Sequence, residues 1–332
     1  MSAERRDVLH DTAMGVAGVF RPLRKRKEER EKLDVEQTWG TATVQWRSPD
    51  QLDISDQSVL FAVLEVAGGY LAEAPNEALV TAEGDHWSLL GHDQHVFRAS
   101  TVQVTTTFGR LARLCSLKDG GTANRRVQES LRRLTETTVW VRVVDKNGDV
   151  HEGSSRLLGW QLGDRHRVSL IVNWRLGEAL RGTRYGRISL KDRYSLSTDV
   201  ARALHALLSC RIDQGKAMAC GLDKLQVHIW GNVATDSNLR QRRSRMREAL
   251  QSIGQLPGWR VEFGLPHVRI TRVPGRPAQN APAFQSRGGV SVTTRVRRDA
   301  TPSYPSHLES QKPSNGAGSD YVDLTALIST RD

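Results

Sequence analysis

The sequence predicts an α+β fold in which two tandem winged-helix domains precede a disordered C-terminal tail. The main observation is an order of elements that occurs twice: a helix, a short helix, a turn, a basic helix and a β-hairpin. A second observation is that apolar clusters almost disappear after Pro274. We therefore predict a basic N-terminal arm over residues 1–35, domains over 36–180 and 181–273, and a tail over 274–332.

Composition supports both the tail and an anionic partner. Hydrophobic residues, counted without Gly, make up 38% of the chain, below the roughly 45–50% usual for globular chains, an average that also counts Gly. The 48 Lys and Arg exceed the 37 Asp and Glu, which gives a formal net charge of +11. Because no lipid-facing element is present, this charge favours nucleic acid over a membrane as the partner.

The sequence indicates a soluble protein of the reducing cytoplasm. No apolar run reaches about 18 residues, and no signal-peptide pattern is present. The three cysteines are odd in number and widely spaced, which fits neither a disulfide framework nor a zinc site. We expect Cys115 and Cys210, on apolar helical faces, to be buried thiols.

Three segments open the chain before the first repeat. The basic run Phe20–Lys32 fits a nucleic-acid-binding arm or a solvated entry into the first domain, and both readings stay open. Thr41–Trp46 alternates as a strand does. A helix is predicted over residues 55–67, capped by Ser55 or Asp56 and ended by two glycines.

The first copy of the repeated order lies between Phe108 and Trp174. Its predicted elements are the helix Phe108–Ser116, a glycine turn, a helix capped by Thr122 and ending at Glu136, and strands over Val139–Val144, Val150–Leu162 and Arg167–Trp174. On the second helix, Val127, Leu131 and Leu134 face inward. The candidate DNA-binding residues are Thr122, Arg125, Arg126, Glu129 and Arg132, and Lys146 in the hairpin is placed beside the nucleic-acid backbone.

The second copy lies between Asp199 and Arg272. Its predicted elements are a helix over Asp199–Asp213 capped by Ser197 or Thr198, a short helix over Leu222–Trp230, a turn at Gly231 and Asn232, a basic helix over Asp236–Gly254, and strands over Trp259–Phe263 and His267–Arg272. Asp236 or Ser237 is the predicted cap of the basic helix.

The basic helix carries donors suited to guanine edges, adenine edges and phosphates. Its apolar side contains Leu239, Met246, Leu250 and Ile253. We predict base contacts by Arg240, Gln241, Ser244 and Arg247, and phosphate contacts by Arg243 and Arg245, with Arg242 also on a flank. By itself such a helix also fits a charged, solvated surface, but its second occurrence in the same order favours reading of duplex DNA.

Sequence motifs for enzyme chemistry are absent. There is no G-x-x-x-x-G-K-[ST] phosphate loop, and no carboxylate cluster of the kind a metal nuclease requires. Asp223 and His228 have no nucleophile nearby, and His86, His92 and His95 lack metal-ligand spacing. We therefore expect a protein that is not an enzyme and that needs no cofactor or metal.

Three stretches resemble the RepC replication initiators of IncQ-type broad-host-range plasmids. They are VFRPLRKRKEEREKLDV, SLSTDVARALHALLSCRIDQGKA, and LRQRRSRMREAL followed by GWRVEF and ITR. The resemblance covers roughly residues 19–273, with a poor match between Gly69 and Thr101. Gln214 stands where the family has Pro, and the tail after Pro274 is not a shared feature.

The resemblance implies a function in plasmid replication. It implies two winged-helix domains that bind direct repeats (iterons) in a plasmid origin, and an initiator that opens an adjacent A+T-rich segment. A separate plasmid helicase and primase would act with it, and copy number would be controlled through self-association of the initiator.

Two other functions remain open from the sequence. A transcriptional regulator of the same fold would bind DNA without a role in replication. An interaction scaffold would use the winged helices to bind protein, with the arginines serving solubility. A steep fall of binding with added salt would argue against the scaffold.

Overall fold

The computed structural model describes residues 7–23, 30–39, 41–73, 101–118, 120–144, 147–163, 167–182, 185–264 and 266–274. These residues form a mixed α/β fold. The predicted tail after Pro274, Lys146 and the three histidines at 86, 92 and 95 lie outside them.

The described chain contains both helices and strands. The helices are α1 (Thr12–Val16), α2 (Ile54–Glu73), α3 (Phe108–Leu114), α4 (Gly121–Glu136), α5 (Trp174–Leu180), α6 (Leu190–Ser195), α7 (Asp199–Arg211), α8 (Leu222–Trp230) and α9 (Asp236–Gly254). The strands are β1 (Asp7–Asp11), β2 (Phe20–Arg21), β3 (Leu33–Trp39), β4 (Ala42–Ser48), β5 (Leu52–Asp53), β6 (Val102–Thr107), β7 (Thr138–Val144), β8 (Val150–Arg156), β9 (Leu158–Leu162), β10 (Arg167–Val172), β11 (Tyr185–Ser189), β12 (Ala217–Cys220), β13 (Trp259–Phe263) and β14 (Val268–Arg272).

The described strands form several small sheets. The largest is antiparallel, in the order β3-β4-β7-β8. Two three-stranded sheets have the orders β6-β10-β9 and β12-β14-β13, and β1 pairs with β11 while β2 pairs with β5. The hairpin that follows α4 thus joins the largest sheet, and the hairpin that follows α9 joins β12.

One hydrophobic core extends through the described chain. The buried cluster runs from Val8 to Ile270 and includes residues of both 36–180 and 181–273. The pairing of β1 with β11 also connects the N-terminal residues to the second of these ranges. The boundary between residues 180 and 181 stays a prediction.

The N-terminal segment is part of the core, which corrects the prediction of an arm over residues 1–35. Val8, Met14, Val19 and Phe20 are buried. Strand β1 forms a five-residue antiparallel ladder with β11. These elements are too short to show a period in the sequence, and their apolar residues pack against elements far away in the chain.

A close packing of three elements holds the N-terminal segment in place. Cys210 of α7 lies between Gly15 of α1 and Gly186 of β11. A Cβ on Gly186 would come within 2.6 Å of the Cys210 Cα and 2.5 Å of its Sγ. Cys210 is buried, as predicted, and so is Cys115.

We expect Gly186→Ala to lower the free energy of unfolding by about 1–3 kcal/mol, because the added methyl overpacks this contact. Urea unfolding measures the change. Gly68→Ala is the matched control, since its Cβ would meet only Leu180 Cδ2 at 3.7 Å and helical Ala is favoured over Gly by up to about 1 kcal/mol. Equal stability changes in the two variants would contradict this explanation.

Helix α2 differs from its prediction at both ends. It continues to Glu73, so Gly68 and Gly69 do not end it. At its start, Asp53 Oδ1 accepts hydrogen bonds from the backbone N–H groups of Ser55 and Asp56, at 2.7 and 2.9 Å. Asp53 therefore caps the helix. Burial of most residues from Ile54 to Ala67 outweighs the cost of two glycines.

Other predicted ends and strands are confirmed or corrected. Thr198 caps α7, with its hydroxyl accepting from Ala201 N. Helix α4 begins after Gly120 and α9 after Thr235, each without a side-chain cap bond, so the predicted caps of these two helices are wrong. The predicted strand Val150–Leu162 divides at Leu157 into β8 and β9, which belong to different sheets.

A fully buried arginine connects α6, α7 and α2. The Arg193 guanidinium donates to Arg202 O at 2.6 Å and to Ser58 Oγ at 3.4 Å, and its Cζ lies 4.9 Å from the centroid of the Phe61 ring. Burial lowers the pKa of Arg193 to about 10. This cation joins residues of the two predicted domains inside the core.

Candidate nucleic-acid interface

The apolar side of α9 is anchored in the core. Met246, Ala249, Leu250 and Ile253 are buried, and α9 packs against α7, α8 and β13. The spacing of these residues places them on one face at 3.6 residues per turn. The helix and its inward face are confirmed, with Leu239 half-buried at the edge.

The opposite side of α9 is exposed. Five predicted site residues lie there: Arg240, Gln241, Ser244, Arg245 and Arg247. The Ser244 hydroxyl donates to Glu248 Oε1 at 2.9 Å. Glu248, which the sequence analysis did not select, is exposed on the same side.

Arg243 is shared with the preceding helix. Its guanidinium makes two hydrogen bonds to the Asp223 carboxylate of α8, one of them from Nε to Oδ1 at 2.8 Å. These bonds lower the pKa of Asp223. A phosphate contact by Arg243 would compete with this pair, and the predicted contact stays a prediction.

Arg242 braces the turn between α8 and α9. Its Nη1 donates to Asn232 O at 3.1 Å and to Asn232 Oδ1 at 2.8 Å. Its Cζ lies 5.1 Å from the centroid of the Trp230 ring. Gly231, at the end of α8, has a φ of 81°, a left-handed conformation that glycine adopts without strain. Together these contacts set the angle at which α9 leaves the turn.

Helix α4 has the same division into a buried and an exposed side. Ala123, Val127, Leu131 and Leu134 are buried. The predicted site residues on this helix are all exposed: Thr122, Arg125, Arg126, Glu129 and Arg132. Arg132 Nε lies 3.9 Å from Glu136 Oε1.

Unlike the exposed residues of α4, Arg133 on the same helix points into the protein. Its Nη2 lies 2.7 Å from Asp56 Oδ1, and its Nε donates to the same carboxylate at 3.1 and 3.2 Å. Arg30 Nη1 donates to Asp56 Oδ2 at 3.1 Å, and Arg30 Nη2 donates to Asp53 at 2.7 Å. This network, Arg30–Asp53–Asp56–Arg133, fixes α4 against α2. The apolar pattern along one helix contains no sign of such a distant carboxylate.

Parts of the connections within the two hairpins are described. Gly148 has a φ of 89° between β7 and β8. Between β13 and β14, Gly264 N donates to His267 O at 3.0 Å. Phe263 is 47% exposed at the end of β13.

His228 is held by residues other than Asp223. Its Nδ1 lies 2.9 Å from Val16 O, and its Nε2 lies 3.0 Å from Arg211 Nη1. Burial and the neighbouring Arg211 charge lower its pKa. Among the described residues, no group of three His, Cys, Asp or Glu side chains could hold a metal ion.

No helix in the described part of the chain is long and apolar enough to span a membrane.

The solved structures that are similar to this chain include two of RctB domains. One contains selenomethionine derivatives of domain 2 and domain 3 of RctB, with 14% identity and a TM-score of 0.49, and it covers 80% of this chain and 99% of that one. The other contains RctB domains 2–3, with 14% identity and a TM-score of 0.45, and covers 78% and 96%. A comparison with curated proteins found no significant match.

The match to a protein family covers most of the chain. A profile described as Replication protein C (RepC) matches residues 3–273. That range contains α4, α9 and both hairpins that follow them. The chain belongs to the Replication protein C (RepC) family.

Proposed function

We propose that this protein initiates plasmid replication by binding direct-repeat iterons in the origin. Each of its two winged-helix domains inserts one helix into the major groove, α4 in the first domain and α9 in the second. The hairpins β7–β8 and β13–β14 lie as wings beside the backbone. Membership of a replication protein family supports a role in replication.

The observation that carries the proposal is the repeated arrangement of a helix with exposed arginines before a hairpin. On α4 these arginines are Arg125, Arg126 and Arg132, and on α9 they are Arg240, Arg245 and Arg247. Arginine donates two hydrogen bonds to guanine and also neutralises phosphate. A charged surface helix has no reason to occur a second time before a second hairpin. Two half-sites of one duplex, in contrast, require two reading helices.

The continuous core supports simultaneous reading by both helices. Helix α4 is fixed to α2 through Asp56, and α9 packs on α7. Arg193 and the β1–β11 pairing then connect these elements. A frame of this kind suits half-sites one helical turn apart, about 34–36 Å, so one monomer covers one repeat.

The remaining parts of the proposal follow from the family resemblance. The bound initiator opens an adjacent A+T-rich segment, on which a separate plasmid helicase and primase act. The protein itself is not an enzyme, uses no cofactor and acts in the bacterial cytoplasm on plasmid DNA. Self-association of the initiator limits copy number.

We expect Arg240→Ala and Arg247→Ala each to weaken binding to origin repeats by about 1–3 kcal/mol and to reduce sequence preference. Arg245→Ala should instead lower the slope of log affinity against log salt by about 1, with similar losses on origin and random duplex. Fluorescence anisotropy at several salt concentrations measures both quantities. Arg47→Ala, which removes an exposed arginine from β4, is the control and should leave affinity unchanged. Unaltered origin binding by Arg240→Ala and Arg247→Ala would overturn the assignment of α9.

A further inference from the structure

Helices α4 and α9 have buried residues at the same spacing. Val127, Leu131 and Leu134 of α4 have the same spacing as Met246, Leu250 and Ile253 of α9, and all six side chains have 0% exposure. When these buried residues are matched in order, Arg126 corresponds to Arg245 and Glu129 corresponds to Glu248. The two helices therefore present an arginine and a glutamate at equivalent places.

Each glutamate lies near the centre of the exposed side. Glu248 follows Met246 by two residues, which is a rotation of about 200° at 3.6 residues per turn. Glu129 follows Val127 by the same step. Both side chains are exposed, so each faces away from the core among the arginines of its helix.

The glutamates also differ from an ordinary helix carboxylate. Glu136 pairs with Arg132 one turn earlier on α4. Glu248 instead accepts a hydrogen bond from Ser244, and within the described residues neither Glu248 nor Glu129 is in an ion pair. Their charges remain available to a partner.

On duplex DNA a carboxylate is repelled by phosphate and needs a donor. The cytosine N4 amino group is the major-groove donor that Glu and Asp accept from. A glutamate on a reading helix thus lowers affinity for DNA in general and favours sites with cytosine at one position. We propose that Glu248 and Glu129 determine specificity, each reading the N4 amino group of a cytosine in its half-site. This inference rests on the proposed function.

The test is a scan of the bound repeat in which each cytosine is replaced, one at a time, by 2-pyrimidinone, which lacks the N4 amino group. Wild-type protein should lose about 5-fold or more in affinity at two cytosines. These cytosines should lie about 10 base pairs apart, one helical turn. Glu248→Ala should become insensitive at one of them, and Glu129→Ala at the other.

The affinity for random duplex DNA is a second measurement, in which the variants are expected to gain affinity rather than lose it. Both alanine variants should bind random duplex more tightly than wild type, because a negative charge near phosphates has been removed. Glu36→Ala, on the exposed face of β3, makes the same change in net charge and is the control. Glu248→Gln should shift the preference at its position toward adenine, whose N6 and N7 a glutamine pairs with.

The outcomes separate this inference from the function on which it rests. If wild type shows no preference for origin repeats over random duplex, the proposed function fails. If that preference is present but the scan profiles of Glu248→Ala and Glu129→Ala equal the wild-type profile, the glutamates do not read bases. Matching circular dichroism melting curves show that the variants are folded.

Discussion

Asp56→Ala is expected to lower the free energy of unfolding by about 3–5 kcal/mol, the cost of breaking a buried ion pair by removing one partner. The Asp56 side chain has 0% exposure and accepts hydrogen bonds from two guanidiniums. Burial raises the pKa of this carboxyl, so its charged form depends on Arg133 and Arg30. Equilibrium urea unfolding at pH 7 measures the loss.

The expected loss is large because Arg133 keeps its charge when Asp56 is gone. The side chain of Arg133 is 12% exposed, and it would lie at the α2–α4 contact without the carboxylate to which it is hydrogen-bonded. Arg30 is less affected, since its Nη2 keeps the bond to Asp53 at 2.7 Å. A second substitution, Arg133→Met in the Asp56→Ala background, should restore part of the stability because an apolar side chain suits this site.

Asp34→Ala is the matched control. Asp34 pairs with Arg47 at 3.7 Å, and the two side chains are 60% and 54% exposed. Exposed pairs contribute about 0–1 kcal/mol, so this variant should remain close to wild type. Equal losses for Asp34→Ala and Asp56→Ala, or no rescue by Arg133→Met, would contradict a buried network.

Prediction from the sequence was most successful where apolar residues recur regularly over many residues and the ends of the segment are clear. Helix α9 has the predicted bounds because its apolar residues recur over 19 residues and a turn precedes it. Strand β13 is likewise found as predicted. The break at Leu157 could not be predicted, because both halves of the segment have strand composition and only their pairing partners differ.

The exposed side of α4 and of α9 could be predicted from the sequence, but the ion pairs of these helices could not. A helical pattern shows which side of α4 or α9 is polar, and the exposed positions of Arg125 and Arg240 agree with that pattern. It does not show that Arg243 meets Asp223 or that Arg133 meets Asp56, because those partners lie 20 and 77 residues away. Long-range ion pairs follow from the fold and leave no periodic trace.

Lowering the pH from 7 to 5 is expected to destabilise the protein through two buried histidines. Burial lowers the pKa of His10 to about 4 and that of His205 to about 3, from 6.5 in the unfolded chain. Arg193 lies near both rings and lowers both values further. Both ring nitrogens of His10 and Nδ1 of His205 are buried without a hydrogen-bond partner in the described structure.

The direction of this change in stability follows from the pH at which the folded and unfolded states bind protons. Below pH 6.5 the unfolded chain takes up protons at these histidines, whereas the folded protein does not until pH 4 for His10 and pH 3 for His205. The contribution of the two neutral histidines to the free energy of unfolding is therefore fully present above pH 6.5 and decreases as the pH falls below it. One pKa unit corresponds to about 1.4 kcal/mol, so each histidine should cost roughly 2 kcal/mol at pH 5.

His10→Leu separates this effect from other titrations. Leucine fills a similar volume beside Phe61, whose ring centroid lies 5.2 Å from that of His10, and it cannot take up a proton. The loss of unfolding free energy between pH 7 and 5 should decrease by about 2 kcal/mol relative to wild type. Leu207→Val, which shortens a buried side chain of α7, should shift stability by about 1 kcal/mol equally at every pH. Parallel pH curves for His10→Leu and wild type would show that His10 is protonated in the folded protein as readily as in the unfolded chain, which burial in an apolar core opposes.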